Sequence, residues 1–203
     1  MAVSTAVTGS QGLWFLSRGS GLVLLVLFSI VVVLGVATRT GSGPARWPRF
    51  AVAELHRTLS LFAVALLVLH VVTAILDPFV TIGWAATLLP FASPYRTLAI
   101  GLGTLAVDLA GAVLLTSLAR RRLGQRAWRA VHWLAYLAWP AALLHSLTAG
   151  NDLRIWWVAL IEVSSAAAVA AAVLARLFGR ARDGGPRHVD SREMSGAPRA
   201  GVR

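Results

Sequence analysis

The sequence predicts an all-α membrane protein, a polytopic bundle of about five transmembrane helices. Of its 203 residues, 57% are hydrophobic and only 13% are charged, whereas an average soluble domain is about 25% charged. Apolar runs recur along the chain, and each has about the 20 residues that a helix needs to cross a hydrocarbon core roughly 30 Å thick. Arginine-rich segments separate these runs, as expected of loops beside a membrane.

The apolar runs define five predicted spans in chain order. They cover residues 13–37, 52–76, 97–118, 130–148 and 155–178. A single bundle is therefore expected over residues 13–178, preceded by a short segment at residues 1–12 and followed by a tail at residues 179–203. No basic segment precedes the first run, so it is predicted to be a retained helix, not a signal peptide. The tail is rich in Gly, Pro and Arg, a composition typical of disorder.

The distribution of arginine predicts the orientation of the bundle. Most arginines lie after the first, third and fifth runs, and few lie on the opposite side. Cytoplasmic loops collect positive charge. The protein is therefore predicted to lie in the cell membrane with its amino terminus outside and its carboxyl terminus in the cytoplasm. The net charge of +11 would suggest nucleic acid in a soluble chain. Between apolar segments it favours anionic membrane lipid as the partner, and no nucleic-acid partner is expected.

The outer loop at residues 77–95 contains three prolines and four aromatic residues. Aromatic rings favour the membrane interface. Its apolar stretch at residues 80–89 is too short to span a bilayer. A re-entrant or surface segment is therefore predicted there.

Four histidines lie on the second and fourth predicted spans. They are His56, His70, His132 and His145. Ionisable side chains within a membrane are costly and rare, so they are functional candidates. Because the chain has no cysteine, a redox metal would need histidine or carboxylate ligands.

The spacing of the histidines predicts two pairs. The 14 residues from His56 to His70 put both on one helix face, about 21 Å apart along the axis, and Ala63 lies midway between them. The second and fourth spans run in the same direction. His56 is thus expected to meet His132 near the cytoplasmic surface, and His70 to meet His145 near the outer one. Each pair can supply both axial ligands of one haem iron.

The fourth span fits this arrangement less well than the second. The 13 residues from His132 to His145 leave these side chains about 140° apart around an ideal helix. A kink at Pro140 or a local change of helical pitch would bring them closer in phase, and the sequence leaves both possibilities open. Trp139 is predicted either to lie between two haems or simply to pack.

Four arginines are predicted to bind haem propionates, because guanidinium pairs bidentately with carboxylate. Arg57 and Arg129 flank the inner histidines, whereas Arg96 and Arg154 begin helices at the outer surface. Lipid head groups are the alternative partners.

Two acidic residues lie inside predicted spans. Asp108 could serve a proton or quinol path or form a buried hydrogen bond. Glu162 is expected to form an ion pair with Arg18.

The histidine spacings, H-x13-H from His56 to His70 and H-x12-H from His132 to His145, resemble those of the ferric reductase-like transmembrane family. The strings ELHRTLSLFAVALLVLH and RLGQRAWRAVHWLAYLAWPAALLH add to the likeness, which covers residues 13–178. That family includes ferric reductases, NADPH oxidases and the haem-binding membrane subunit of the periplasmic methionine sulfoxide reductase system. The resemblance implies two haems b, with electrons moving from the cytoplasmic haem to the outer one.

The chain departs from that family pattern in two respects. The family core commonly has six spans with ligands on the third and fifth, and the first of these is not predicted here. A carboxyl-terminal flavin and nicotinamide domain is also not predicted. The expected protein is therefore an oxidoreductase component, a cytochrome b without its own NAD(P)H-oxidising domain. A separate flavoprotein or quinol would donate its electrons, and an extracytoplasmic acceptor, such as ferric iron or a partner reductase, would receive them.

Two other functions remain open on the sequence. One is a haem-free transporter in which the histidines bind a metal ion or relay protons, although the two histidines of one helix lie about 20 Å apart. The other is a structural membrane subunit of a redox complex. Haem content discriminates both from a cytochrome.

Overall fold

The computed structural model describes the backbone of residues 2–40, 48–150 and 154–183, and the side chains of residues 11–38, 48–150 and 154–178. These parts of the chain contain helices and no β-strand, so the predicted all-α fold is confirmed. Residues 184–203, most of the predicted tail, lie outside the described residues, and no side chain is described for residues 1–10 and 179–183. The helices are α1 (Ala2–Thr40), α2 (Arg49–Leu76), a 3₁₀ turn (Ala85–Thr87), α3 (Thr97–Leu118), α4 (Arg120–His132), α5 (Ala135–Ala149) and α6 (Trp156–Asp183).

Four of the described helices are long and apolar enough to cross a membrane. The spanning parts are Gln11–Thr38 of α1, Arg49–Leu76, Thr97–Leu118 and Trp156–Phe178 of α6. They correspond to the first, second, third and fifth predicted spans. Large apolar side chains on α2, such as Phe62 and Val68, are exposed, as expected of a surface that contacts lipid rather than water.

The fourth predicted span is divided into two helices. α4 ends at His132, α5 begins at Ala135, and α5 alone has only 15 residues. Between them the backbone tightens to 3₁₀ geometry, because Leu134, Tyr136 and Leu137 donate their N–H groups to carbonyls three residues earlier, at 2.9, 3.0 and 2.9 Å. Such tight turns are frequent at helix ends. Pro140 lies inside α5, which continues across it.

The basic segment after the third span forms a helix rather than the predicted loop. Arg, Leu, Gln and Ala dominate α4, and these are good helix formers. Gly124 interrupts the helix with φ 75°, in the left-handed region that glycine adopts without steric cost. α4 has no buried residue, which suits a basic helix at the membrane surface.

α1 is the central helix of the bundle. It packs against α2, α5 and α6, while α3 packs against α4 and α5. Val32, Trp139 and Val169 form a buried cluster where α1, α5 and α6 meet, and the Trp139 indole N–H donates to Ser29 Oγ at 2.9 Å. The packing leaves a gap between α2 and α5, the two helices that carry His70 and His145.

The outer loop is a surface segment that packs on α3. Ile82 and Ala86 are buried, whereas Phe79 and Trp84 are exposed. Thr104 Oγ1 donates to the Ala86 carbonyl at 2.6 Å and so attaches the 3₁₀ turn to α3. No helix across the membrane forms between residues 77 and 95, in agreement with the prediction from its length.

Candidate functional site

A cavity of about 1070 Å³ runs through the bundle. Ligand pockets usually measure about 300–1,000 Å³, so this one has room for a very large ligand or for more than one. All six helices contribute to its wall, and all four predicted histidines line it. We call it the central cavity.

The structure brings the histidines together in the two predicted pairs. The ring centres of His56 and His132 lie 6.4 Å apart, with the ring planes at 69°. Those of His70 and His145 lie 6.3 Å apart, with the planes at 79°. His56 and His70 are 14 positions apart in the sequence, which places these two pairs about 21 Å apart along α2.

The ring separations suit a metal ion between the two members of each pair. A histidine nitrogen binds a transition metal at about 2 Å, and the centre of the imidazole lies about 1 Å behind that nitrogen. Two imidazoles on opposite sides of one ion therefore have ring centres about 6 Å apart. Among the described residues, no group of three or more His, Cys, Asp or Glu side chains could hold a metal ion. Each level of the cavity thus offers two histidines, the number that a haem iron takes as axial ligands.

Three of the four histidines are oriented by backbone carbonyls. Nδ1 of His56 bonds the Val31 carbonyl at 3.0 Å, and Nδ1 of His70 bonds the Ser17 carbonyl at 2.8 Å. On α5, Nδ1 of His145 bonds the Ala99 carbonyl of α3 at 2.7 Å. A carbonyl oxygen only accepts, so Nδ1 carries the hydrogen in each case. The neutral ring then has its lone pair on Nε2, the nitrogen that remains for a metal.

Glycines allow these rings to approach the neighbouring helix. A Cβ atom on Gly103 would lie 2.7 Å from His145 Nδ1, and one on Gly21 would lie 2.9 Å from His70 Cε1. A Cβ atom on Gly35 would lie 3.3 Å from His56 Cε1. Any side chain at Gly103 or Gly21 would displace the imidazole from its carbonyl.

The residues of α1 that face the cavity match the histidine spacing of α2. Gly21 contacts His70 and Gly35 contacts His56, so the two helices are antiparallel with equal spacings of 14 residues. Phe28 and Ala63, which are midway along their respective intervals, both line the cavity. On α1, a glycine thus faces each of the two histidines of α2, and Phe28 lies midway between these glycines. We call the half of the cavity at His56 and His132 its inner level and the half at His70 and His145 its outer level.

His132 is held by an aromatic neighbour. Its ring stacks on Trp128 of α4, with the ring centres 4.9 Å apart and the planes at 30°. The Trp128 indole N–H donates to Ser117 Oγ of α3 at 3.2 Å. The inner pair is therefore attached to α3 through Trp128.

The 3₁₀ stretch after His132 removes about half of the phase mismatch of the fourth span. Each residue in 3₁₀ geometry turns the chain by about 120° instead of 100°, so three or four such residues remove about 60–80° of the 140° mismatch. Of the two possibilities that the sequence left open, the structure therefore contains the change of pitch. It lies directly beside the inner histidine.

The four predicted arginines have different surroundings. Arg57 and Arg129 line the central cavity, and Arg57 also lies 3.7 Å from Glu54 in an exposed i,i+3 pair. Arg96 and Arg154 are not among the residues that line it. Arg96 donates to the carbonyls of Thr148 and Ala149, at 3.2 and 2.8 Å, at the end of α5.

Other predicted residues lie apart from the site or have different partners. Trp139 does not line the central cavity, because its ring is packed between α1 and α6. Asp108 also lies outside the lining. Glu162 is 4% exposed and accepts a hydrogen bond from Ser146 Oγ at 2.7 Å, so the expected partnership with Arg18 is not the one observed. Arg18 lies over the Trp14 ring.

Sequence reasoning did not place Ser146, Glu162 or Arg176 at the cavity. Ser146 and its partner Glu162 line the cavity next to His145, and Arg176 lines it beside Tyr136, one turn after His132. Arg176 ends an apolar span, a position that usually indicates a lipid contact. Its burial depends on how α6 packs, for which the sequence carries no local signal.

A family model described as ferric reductase like transmembrane component matches residues 20–143. This range is more than half of the 203 residues, and it includes His56, His70 and His132. His145 lies two residues beyond its end. Among curated proteins and solved structures, none matches the chain.

Proposed function

Because the chain belongs to the ferric reductase-like transmembrane component family, a family with a redox role in membranes, we propose that it is a membrane b-type cytochrome. Two haems, each between two histidines, would carry electrons through the bilayer. One observation carries this proposal: two imidazole pairs face each other across one cavity, with ring centres 6.4 and 6.3 Å apart, at two depths of the bundle. Proteins of this family generally bind haem.

The chain's own residues prepare each level for the cofactor. The carbonyls of Val31, Ser17 and Ala99 hold three imidazoles in the tautomer that presents Nε2. The lining is mainly apolar, which would keep water away from a bound haem iron and so influence its potential. When bound, haem supplies the one-electron iron couple.

Arg57 and Arg129 are proposed to bind the propionates of the inner haem, because both line the cavity at the level of His56 and His132. At the outer level, Arg96 holds the end of α5 that carries His145. We propose that it positions this ligand, and a direct propionate contact by Arg96 or Arg154 stays a prediction.

Electrons are proposed to enter at the cytoplasmic level and leave at the outer one. Proteins of this family typically work with separate redox partners. A flavoprotein or quinol is the proposed donor, and ferric iron or a partner reductase outside the cell membrane is the proposed acceptor. The arginine-rich α4 supports a cytoplasmic location for the inner level, because positive charge collects on that side.

Purified protein in sealed vesicles tests this function. It is expected to be coloured, with the spectrum of low-spin haem that has two histidine ligands. With dithionite trapped inside the vesicles, it should reduce ferricyanide outside. A His70→Ala/His145→Ala variant is the matched control and should lose this transfer. Protein that stays colourless after haem is added would contradict the proposal and favour a haem-free transporter or structural subunit.

A further inference from the structure

A buried guanidinium lies at the inner half of the central cavity. Arg176 of α6 is 6% exposed. Its guanidinium lies 4.5 Å from the centre of the Trp133 ring and 5.4 Å from that of Tyr136, and it donates a hydrogen bond to the Tyr136 hydroxyl. The side chain is therefore held by Tyr136 of α5 and by Trp133, which lies two residues before that helix begins.

These contacts do not neutralise the charge of Arg176. A guanidinium has five N–H donors, of which the Tyr136 hydroxyl accepts one, and aromatic rings accept none by a conventional hydrogen bond. Within the described part of the chain, Arg176 forms no ion pair with a carboxylate. A charge inside a membrane protein is costly unless it is paired or hydrated. This arrangement indicates that an anion completes the site.

The remaining donors are placed at the cavity. Arg176, Tyr136 and Trp133 all line it, and Tyr136 follows His132 by four residues, about one helical turn. The Tyr136 oxygen accepts from Arg176, so its own hydrogen is available to a second acceptor. A carboxylate could accept one hydrogen bond from the phenol and others from the guanidinium, the charge-assisted kind that is strongest.

We propose that Arg176 and Tyr136 form a carboxylate-binding site for the ligand of the inner level. The inference rests on the proposed function, under which this carboxylate is a propionate of the haem between His56 and His132. α6 would then hold the inner haem although it carries none of the four histidines. An anionic lipid head group offers similar chemistry and is the other source of an anion.

Haem and haem dimethyl ester, whose propionates carry no charge, distinguish these sources. The full-length apo-protein is titrated with each compound, and the ratio of the two affinities at the inner level is taken for every variant. Arg176→Gln is expected to lower the preference for haem about tenfold, since it removes a charged hydrogen bond. Tyr136→Phe should lower it by a smaller factor, and Arg176→Lys should retain part of it. Arg126→Gln removes an exposed arginine of α4 that does not line the cavity, so it should leave the ratio unchanged.

The ratio is insensitive to partial misfolding, because an inactive fraction lowers the capacity for both compounds alike. If Arg176→Gln does not fold, Tyr136→Phe decides the question by the same ratio. An unchanged ratio in these variants would overturn the inference while leaving the cytochrome intact. A haem affinity that depends on Arg176 only in phosphatidylglycerol vesicles, with the ratio unchanged, would assign the anion to lipid. Wild-type protein that binds neither compound would overturn the proposed function itself.

Discussion

The imidazole rings are positioned by contacts that the histidines make with other helices. Val31 and Ser17 on α1 and Ala99 on α3 each offer a carbonyl to one Nδ1 atom. These carbonyls belong to α-helices, where they also accept the backbone N–H of a later residue. The glycines at positions 21, 35 and 103 remove the side chains that would otherwise separate ring from backbone.

Gly103→Ala is expected to reduce occupancy of the outer haem. The new methyl group would lie within 3 Å of the His145 ring, which would have to leave the Ala99 carbonyl. Gly35→Ala should act more weakly on the inner haem, because its closest approach is 3.3 Å. Absorption spectra and haem content after purification measure both effects.

Gly111→Ala on the same helix is the matched control for Gly103→Ala, since a Cβ atom there meets nothing within 4 Å. It should retain the wild-type haem content. Equal losses at positions 103 and 111 would indicate a general effect of alanine on α3 and contradict the role assigned to Gly103.

At the scale of helices, the sequence predicted the geometry of α2 better than that of the fourth span. His56 and His70 fall on one face by helical periodicity alone, and in the structure both lie on the uninterrupted helix α2. The division between α4 and α5 arises from hydrogen bonds that shift from the fourth to the third preceding carbonyl near Leu134. No glycine or proline marks this point. The sequence therefore indicated Pro140 as the place where the helix could kink.

Pro140→Ala is expected to keep both haems. α5 continues across Pro140, and the change of pitch that orients His145 lies nearer to His132. Haem content and the spectrum of the reduced protein check this expectation. Loss of the outer haem alone in this variant would indicate that Pro140, and not the change of pitch after His132, orients His145.

Contacts between elements account for the parts of the site that the sequence did not predict. The register that sets Gly21 against His70 and Gly35 against His56 depends on how α1 packs on α2. The position of Arg176 depends on packing in the same way. In the sequence, Arg176 lies among apolar residues and arginines at the end of a helix, a pattern that indicates a contact with lipid. Only the packing of α6 on α1 and α5 brings it to the cavity.

For the molecule as a whole, the proposed direction of electron flow depends on its orientation. The chain contains no cysteine, so single cysteine variants can report sidedness without background labelling. Ala85→Cys in the outer loop should react with a membrane-impermeant maleimide in intact cells. Arg122→Cys on α4 should react only after permeabilisation, because the arginine-rich helix is expected to face the cytoplasm. The reverse pattern would invert the orientation and the proposed path.

The haem-to-protein ratio from a pyridine haemochrome assay tests the central claim most directly. Wild-type protein is expected to contain two haems, and His70→Ala to contain one. Removing His145 as well should cause no further loss, because His70 and His145 are proposed to share one haem. Two haems in the His70→Ala variant, or a further loss on removal of His145, would contradict the paired arrangement.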